Sequence, residues 1–183
     1  MCNRRFEEAI AEVKQALTLD PFSSEINQWA GTIFLYAGLN DEAIPQYIRA
    51  LTINPSDSFS RTNLGLSYIR KGEVDKGVLE IEKVGGSADL LYAYLQAGRV
   101  EDAKKQLSRL LEHERMNPEL SIWVASAYAN LGDNEKALDW LEKAFSDHVM
   151  YLTALNCDFY FDSLRTEPRF KALLEKIGFT SHA

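Results

Sequence analysis

The chain has 183 residues and a net charge of −7, from 20 Lys and Arg against 27 Asp and Glu. Hydrophobic residues at 46% and charged residues at 26% are globular values, which exclude a disordered tail or a collagen-like fibre. Ten glycines and five prolines are few for this length, so long helices are favoured over an all-β sandwich. Without a block of Lys and Arg to neutralise phosphates, the chain is not expected to bind nucleic acid directly.

The cysteines and the apolar runs indicate where such a chain works. Cys2 and Cys157 are too few for a disulfide framework and too far apart for a zinc knuckle, which favours a reducing compartment. The start of the chain has no apolar stretch typical of a secretory signal. The most apolar run, residues 29–39, is about half the length that spans a bilayer. We therefore predict a cytoplasmic chain with no membrane association.

Five segments of the chain share one pattern, in which a small residue is followed four and seven residues later by further apolar residues. Their first members are spaced by 34, 34, 26 and 34 residues: Ala9, Ala43, Gly77, Ala103 and Ala137. An aromatic residue and a glycine precede four of them in the same phase: Phe34/Gly38, Tyr68/Gly72, Tyr94/Gly98 and Tyr128/Gly132. A shared phase across several residue types predicts an internal repeat.

Each repeat unit is predicted to be one amphipathic helical hairpin. The small residues let two antiparallel helices approach, the aromatic residues fill the gap between them, and the glycines suit the left-handed position that ends the first helix. Asn40, Glu101 and Asp133 are expected to supply acidic or capping groups at the start of a second helix, as is Glu73 or Asp75. The step of 26 lacks eight residues near 84–87, which predicts shortened helices beside that turn.

The last 35 residues depart from the repeat and are predicted to form a cap. Pro168 suits the first position of a short helix, and Gly178 suits its end. The last hairpin would otherwise expose an apolar face. Five residues are placed to cover it: Phe159, Phe161, Leu164, Phe170 and Leu174.

On these residues the sequence resembles the tetratricopeptide repeat (TPR) family, whose unit is a 34-residue helical hairpin. The resemblance covers nearly all of residues 5–149. It implies an all-α fold, a TPR-type α-α superhelix (a right-handed solenoid of antiparallel helical hairpins) with a C-terminal helical cap. The implied parts of this single domain are residues 1–21 (second helix of a partial repeat), 22–55 (repeat), 56–86 (shortened repeat), 87–117 (repeat), 118–148 (repeat) and 149–183 (capping helices). The chain is thus expected to start within a repeat.

The end of the chain carries a second resemblance. Its segment Leu-Arg-Thr-Glu-Pro-Arg-Phe, residues 164–170, looks like the ending that follows TPR arrays in bacterial multidomain signalling and transcription-regulatory proteins. Thr166-Glu167 replaces the usual acidic pair. This resemblance implies, as one alternative, a sensory or regulatory C-terminal domain that binds a peptide or a small ligand.

The TPR resemblance implies a non-catalytic protein-protein interaction module, which binds a peptide or a partner segment in a concave groove lined by the first helices. Carried over to this chain, the groove is aromatic and weakly polar, and its residues are Gln28, Trp29, Thr32, Leu35, Tyr36, Asn63, Leu66, Arg70, Tyr92, Leu95, Gln96, Ile122, Trp123, Ser126 and Asn130. Only Asn63 matches the carboxylate clamp of chaperone-binding TPR domains. A partner with apolar anchors and few acidic residues is therefore expected.

Trp29 and Trp123 occupy the same repeat position, and large aromatic residues are favoured on recognition surfaces. Replacing either with alanine is expected to weaken partner binding and to leave melting nearly unchanged. The alternative is that each tryptophan packs only against the neighbouring hairpin.

The sequence contains no nucleotide-binding loop, zinc-protease motif or serine-nucleophile motif. His148, Cys157 and Asp158 could form a thiol–imidazole pair with an orienting carboxylate, but no nucleophile signature surrounds Cys157. We predict no enzymatic activity, no cofactor and no metal.

A third function follows from the opening helix, which has no first helix to pair with. Its apolar face consists of Phe6, Ile10, Val13 and Leu17. This face could pack against a second chain, which would make the protein a homodimer and a self-association module.

Overall fold

The structure of the protein is a computed structural model that describes residues 6–85, 88–115 and 117–179. The described residues form helices and turns without a β-strand, which confirms the all-α fold class. They divide into two compact units: the N-terminal unit comprises the described residues between 6 and 98, and the C-terminal unit comprises those between 99 and 179.

The N-terminal unit consists of consecutive helices joined by short turns: α1 (Phe6–Leu19), α2 (Ser24–Tyr36), α3 (Asn40–Ile53), α4 (Ser58–Lys71), α5 (Val74–Glu82) and α6 (Ala88–Gln96). Helix α2 packs on α3, and α4 packs on α5, as two hairpins. Helices α5 and α6 have nine residues each, whereas α2, α3 and α4 have 13 or 14. The shortening predicted from the missing eight residues is confirmed.

The turn between the helices of each hairpin depends on a glycine. Helix α4 ends at Lys71, and the next residue, Gly72, has a φ of +96° and an N–H that donates to the carbonyl of Ile69 at 2.9 Å. Gly38, Gly98 and Gly132 also have positive φ, so the left-handed positions predicted for these glycines are confirmed.

Helix capping agrees with the sequence in one turn and differs in another. Asp133 caps the helix Asn134–Ser146 through a carboxylate oxygen that accepts the N–H of Lys136 at 3.2 Å. Asn40, predicted to cap α3, is instead its first helical residue, and its amide points back to the carbonyl of Gly38 at 3.4 Å. The preceding position is occupied by Leu39, which has no side-chain acceptor for the helix N–H groups.

Helices α4 and α5 approach each other at two glycines. A Cβ on Gly77 would lie 2.5 Å from the carbonyl oxygen of Gly65, and a Cβ on Gly65 would lie 2.7 Å from that of Gly77. Real Cβ atoms do not come this close to a backbone oxygen. The alanine that starts the other repeats therefore has no room at position 77.

The apolar face of α1 is only partly covered. Val13 is buried against the rest of the unit, while Phe6, Ile10 and Leu17 keep part of their surface accessible. Helix α1 packs on α2, the first helix of the next hairpin.

The C-terminal unit contains α7 (Val100–Glu114), a 3-10 helix (Pro118–Leu120), α8 (Ser121–Asn130), α9 (Asn134–Ser146), two further 3-10 helices (Met150–Ala154 and Phe159–Leu164) and α10 (Pro168–Ile177). Helices α8 and α9 form its hairpin. Helix α10 begins at Pro168 and ends before Gly178, whose φ is +100°, as predicted. The cap is confirmed by the burial of Phe159, Phe161, Leu164 and Phe170, while Leu174 is half-exposed.

Two arginines of the C-terminal ending hold the cap in place. The Arg165 guanidinium donates to the carbonyls of Asn156 at 3.0 Å and Asp158 at 3.2 Å, and also to a carboxylate oxygen of Asp162. Arg169 of α10 donates to three carboxylates of α9, at distances between 2.9 and 3.1 Å: Glu135, Asp139 and Glu142. The hydrogen bond to Glu142, and to a smaller extent the one to Asp139, raises the pKa of Arg169 above its usual value.

Replacing Arg169 with glutamine is expected to lower the free energy of unfolding by about 1 kcal/mol at low salt. Each exposed ion pair contributes little, so the loss of free energy is modest. It is not zero, because the three carboxylates on one face of α9 would repel one another without the guanidinium. Urea unfolding at low and high salt measures this, and the loss should shrink at high salt. Lys171→Gln, an exposed charge on the same helix, is the control. A salt-independent loss, or an equal loss in the control, would contradict the role of the ion pairs.

Candidate functional site

The candidate binding surface of the N-terminal unit begins on α2. Trp29, Thr32 and Tyr36 are spaced by three and four residues, which places them on one face of the helix. The side chain of Trp29 is 54% exposed, whereas Thr32 and Tyr36 are half-buried. Ser23 caps the helix by accepting the N–H of Ile26, so this face is presented from a well-defined helix start.

The polar neighbours of Trp29 are held in place by hydrogen bonds. The amide of Gln28 donates to a carboxylate oxygen of Asp57 at 2.8 Å, and Asp57 also caps α4. The hydroxyl of Thr32 donates to the carbonyl of Gln28 at 3.0 Å and accepts from the phenol of Tyr47 at 3.1 Å. Burial raises the pKa of the Tyr47 phenol, which therefore stays a protonated donor. The exposed indole of Trp29 therefore lies beside polar side chains, those of Gln28 and Thr32, that are held by hydrogen bonds.

Helices α4 and α6 contribute the other predicted groove residues of this unit that are accessible. Arg70, Tyr92 and Leu95 are half-buried, and Gln96 is exposed. Helix α2 contacts α4, and α4 contacts α6, so the three first helices are neighbours. We call Gln28, Trp29, Thr32, Tyr36, Arg70, Tyr92, Leu95 and Gln96 together the first-helix surface.

Asn63 has a different role from the one its match to the carboxylate clamp suggested. Only 8% of the residue is exposed, and its amide donates to the carbonyl of Phe59 at 2.9 Å within the same helix. Its carbonyl oxygen in the backbone accepts the hydroxyl of Ser67. One donor of the amide is thus engaged inside α4, and the side chain is too deeply buried to present the other on the surface.

Four residues predicted to line the groove belong instead to the cores of the two units. Leu35, Leu66, Ile122 and Ser126 are at most 3% exposed. Helix α2 contacts α1, α3 and α4, and α8 contacts α7, α9 and the 3-10 helix at residues 159–164. With neighbours on three sides, each first helix keeps only a narrow accessible stripe. The family positions carried over to these four residues fall outside that stripe.

The predicted groove residues of α8 are covered by the chain's own C-terminal segment. The ring centre of Trp123 lies 4.9 Å from that of Tyr151 and 6.4 Å from that of Tyr160, the latter in an edge-on arrangement. The amide of Asn130 donates to the carbonyl of Ser126 at 2.7 Å and to that of Tyr160 at 3.2 Å. Trp123 is therefore a packing residue, which corrects the expectation that its truncation would leave melting nearly unchanged.

The candidate catalytic residues have local structural roles. Asp158 is 2% exposed and accepts the N–H of Tyr160 at 3.0 Å, while Cys157 is buried beside it. A ring nitrogen of His148 lies 3.2 Å from the carbonyl of Phe145. Among the described residues, no three His, Cys, Asp or Glu side chains are grouped to hold a metal ion. Within that same part of the chain, every helix is too short or too polar to cross a bilayer.

Comparisons with known proteins agree with the repeat phase. The family model described as tetratricopeptide repeat matches residues 3–58 and 89–147. Residues 59–88, which contain the close approach of Gly65 and Gly77, lie between the two matched segments. Among solved structures, the chain is similar to the crystal structure of MamA, with a TM-score of 0.52 and 18% sequence identity. The match covers 81% of this chain and 91% of that chain, and at this identity it bears on the fold alone.

Proposed function

Because the chain belongs to the tetratricopeptide repeat family, we propose that it is a non-catalytic scaffold that binds a segment of a partner protein on the first-helix surface. The exposure of Trp29 supports this proposal. The residue is 54% exposed on α2, and within the described residues its indole has no ring-stacking or cation contact. Tryptophans presented in this way often contribute most of the binding energy at protein interfaces.

The chemistry of the first-helix surface favours a ligand with an apolar anchor. Gln28 and Thr32 already have hydrogen-bond partners, and the amide of Asn63 is engaged within its helix. These side chains therefore have part of their hydrogen-bonding capacity engaged within the protein, which disfavours a carboxylate as the main anchor next to Trp29. We infer that the partner segment places an aliphatic or aromatic side chain against the indole and carries few acidic residues.

Replacing Trp29 with alanine is expected to weaken peptide binding about tenfold or more, since truncating a central aromatic anchor removes well over 1 kcal/mol of binding energy. Peptides selected by phage display on the full chain supply the probe, and calorimetric titration measures their affinity. The melting temperature should change little because the indole is exposed.

Leu79→Ala is the matched control, since Leu79 is 58% exposed but lies on the second helix α5. It should bind the selected peptides as the unmodified chain does. Unchanged affinity in Trp29→Ala, or an equal loss in Leu79→Ala, would rule out the first-helix surface as the binding site.

A further inference from the structure

The N-terminal unit has a cleft outside the first-helix surface. It has a volume of about 320 Å³ and is lined by Pro21, Phe22, Arg49, Thr52 and Ile53. These residues come from the turn between α1 and α2 and from the last turns of α3. Phe22 is 83% exposed and Ile53 is 47% exposed, so the cleft has apolar walls that face solvent.

The turn that carries Phe22 is held by hydrogen bonds to buried groups. The amide of Asn27, which is fully buried, donates to the carbonyl of Pro21 at 2.9 Å. The hydroxyl of Ser24 donates to the carbonyl of Ala50 in α3 at 3.2 Å. The cleft is thus formed in advance by the fold, and a ligand would not have to order the turn.

Arg49 supplies a positive charge at this cleft. Its side chain is exposed, and no ion pair to it occurs within the described residues. The corresponding residue one repeat later is Lys83, which pairs with Glu80 at 2.6 Å. The counterpart of Glu80 beside Arg49 is Gln46, which cannot neutralise the guanidinium.

The same comparison of repeats shows that the apolar wall is specific to the first turn. Pro21 and Pro55 are 34 residues apart, but Phe22 follows the first proline and Ser56 follows the second. Both prolines have their carbonyl held by a side chain six residues later, Asn27 in one case and Arg61 in the other. The turn geometry is therefore shared, while the aromatic wall and the unpaired cation occur together only at the first of these two turns.

We propose that this cleft binds a short segment of a partner protein in which an apolar side chain is flanked by a carboxylate. The apolar side chain packs between Phe22 and Ile53, and the carboxylate pairs with the guanidinium of Arg49, whose planar donors suit a carboxylate. A volume of about 320 Å³ accommodates one large side chain.

The test uses the full chain, labelled with 15N, and three blocked peptides with the cores Glu-Phe-Glu, Lys-Phe-Lys and Glu-Ser-Glu. We expect only Glu-Phe-Glu to shift the amide resonances of Phe22, Thr52 and Ile53 with saturation. Arg49→Gln should weaken this binding about fivefold, as expected for a partly exposed ion pair. Phe22→Ser introduces the residue type found at the equivalent position 56 and should weaken peptide binding about tenfold or more.

Two controls separate this cleft from other effects. Lys83→Gln removes a cation that already has a partner and should leave binding unchanged. Trp29→Ala should also leave it unchanged, so failure of the first-helix surface and failure of the cleft are distinguishable. Circular dichroism should show the same melting for Arg49→Gln and Phe22→Ser as for the unmodified chain, since both side chains are exposed.

Three results would overturn the proposal. The first is the absence of saturable shifts at Phe22, Thr52 and Ile53 with Glu-Phe-Glu. The second is equal binding of Lys-Phe-Lys, which would remove the role of the guanidinium. The third is a concentration-dependent shift of the same resonances without peptide, lost in Phe22→Ser, which would assign the cleft to a second copy of the chain.

Discussion

Replacing Phe170 with alanine is expected to lower the free energy of unfolding of the C-terminal unit by about 4 kcal/mol, as for other fully buried phenylalanines. The ring is completely buried, and its centre lies 6.3 Å from that of Phe161. Helix α10 depends on this residue and on Leu173 for its buried contacts with the rest of the unit. Urea unfolding followed by tryptophan fluorescence measures the change, because Trp123 and Trp140 both lie in this unit.

Two further variants decide how this result is interpreted. Phe22→Ala makes the same chemical change at an 83% exposed position and should leave stability nearly unchanged. Phe170→Leu should recover most of the loss, since a similar apolar volume refills the site. An unchanged unfolding midpoint in Phe170→Ala would mean that α10 does not dock as the structure shows.

Replacing Gly77 with alanine is expected to lower the free energy of unfolding by about 2 kcal/mol. Alanine in a helix normally stabilises it by up to about 1 kcal/mol relative to glycine, and four of the five repeats have alanine here. At position 77, however, the new Cβ would lie 2.5 Å from the carbonyl oxygen of Gly65 and against Cγ1 of Ile69. Overpacking against backbone costs more than the gain in helix propensity, because α4 and α5 would have to separate.

The reverse substitution at the same repeat position is the matched control. Ala137 is fully buried, and Ala137→Gly should also destabilise the chain, by about 1 kcal/mol, through lost helix propensity and a lost methyl contact. Thermal unfolding of both variants tests the argument through its sign. If helix propensity alone decided the outcome, Gly77→Ala would raise the melting temperature while Ala137→Gly lowered it.

Much of the fold can be predicted from the sequence because its signals are local. A positive-φ glycine at the end of each first helix needs only the turn itself, so Gly38, Gly72, Gly98 and Gly132 could be placed correctly. The short α5 and α6 could be predicted because the spacing between these two repeats is eight residues shorter than 34, which leaves fewer residues for the helices. Pro168 and Gly178 marked the ends of α10 for the same reason.

The candidate site could be predicted only in part, because accessibility depends on which neighbours cover a helix. Trp29 and Trp123 are equivalent in the repeat phase, yet one is 54% exposed and the other packs on Tyr151 and Tyr160. Leu35 and Ile122 occupy groove positions of the family and are nevertheless buried by helices on three sides. The unpaired charge of Arg49 could have been found by comparing Gln46 with Glu80 across the repeats.

The sequence by itself determined the repeat phase, the glycine turns and the C-terminal cap, since each depends on residues that lie close together along the chain. Only the tertiary structure decided that the C-terminal segment packs on Trp123, that Arg165 and Arg169 anchor the cap, and that Trp29 stays accessible. The physical reason is that the exposure of a side chain is the surface its neighbours leave uncovered, and those neighbours lie far away in sequence.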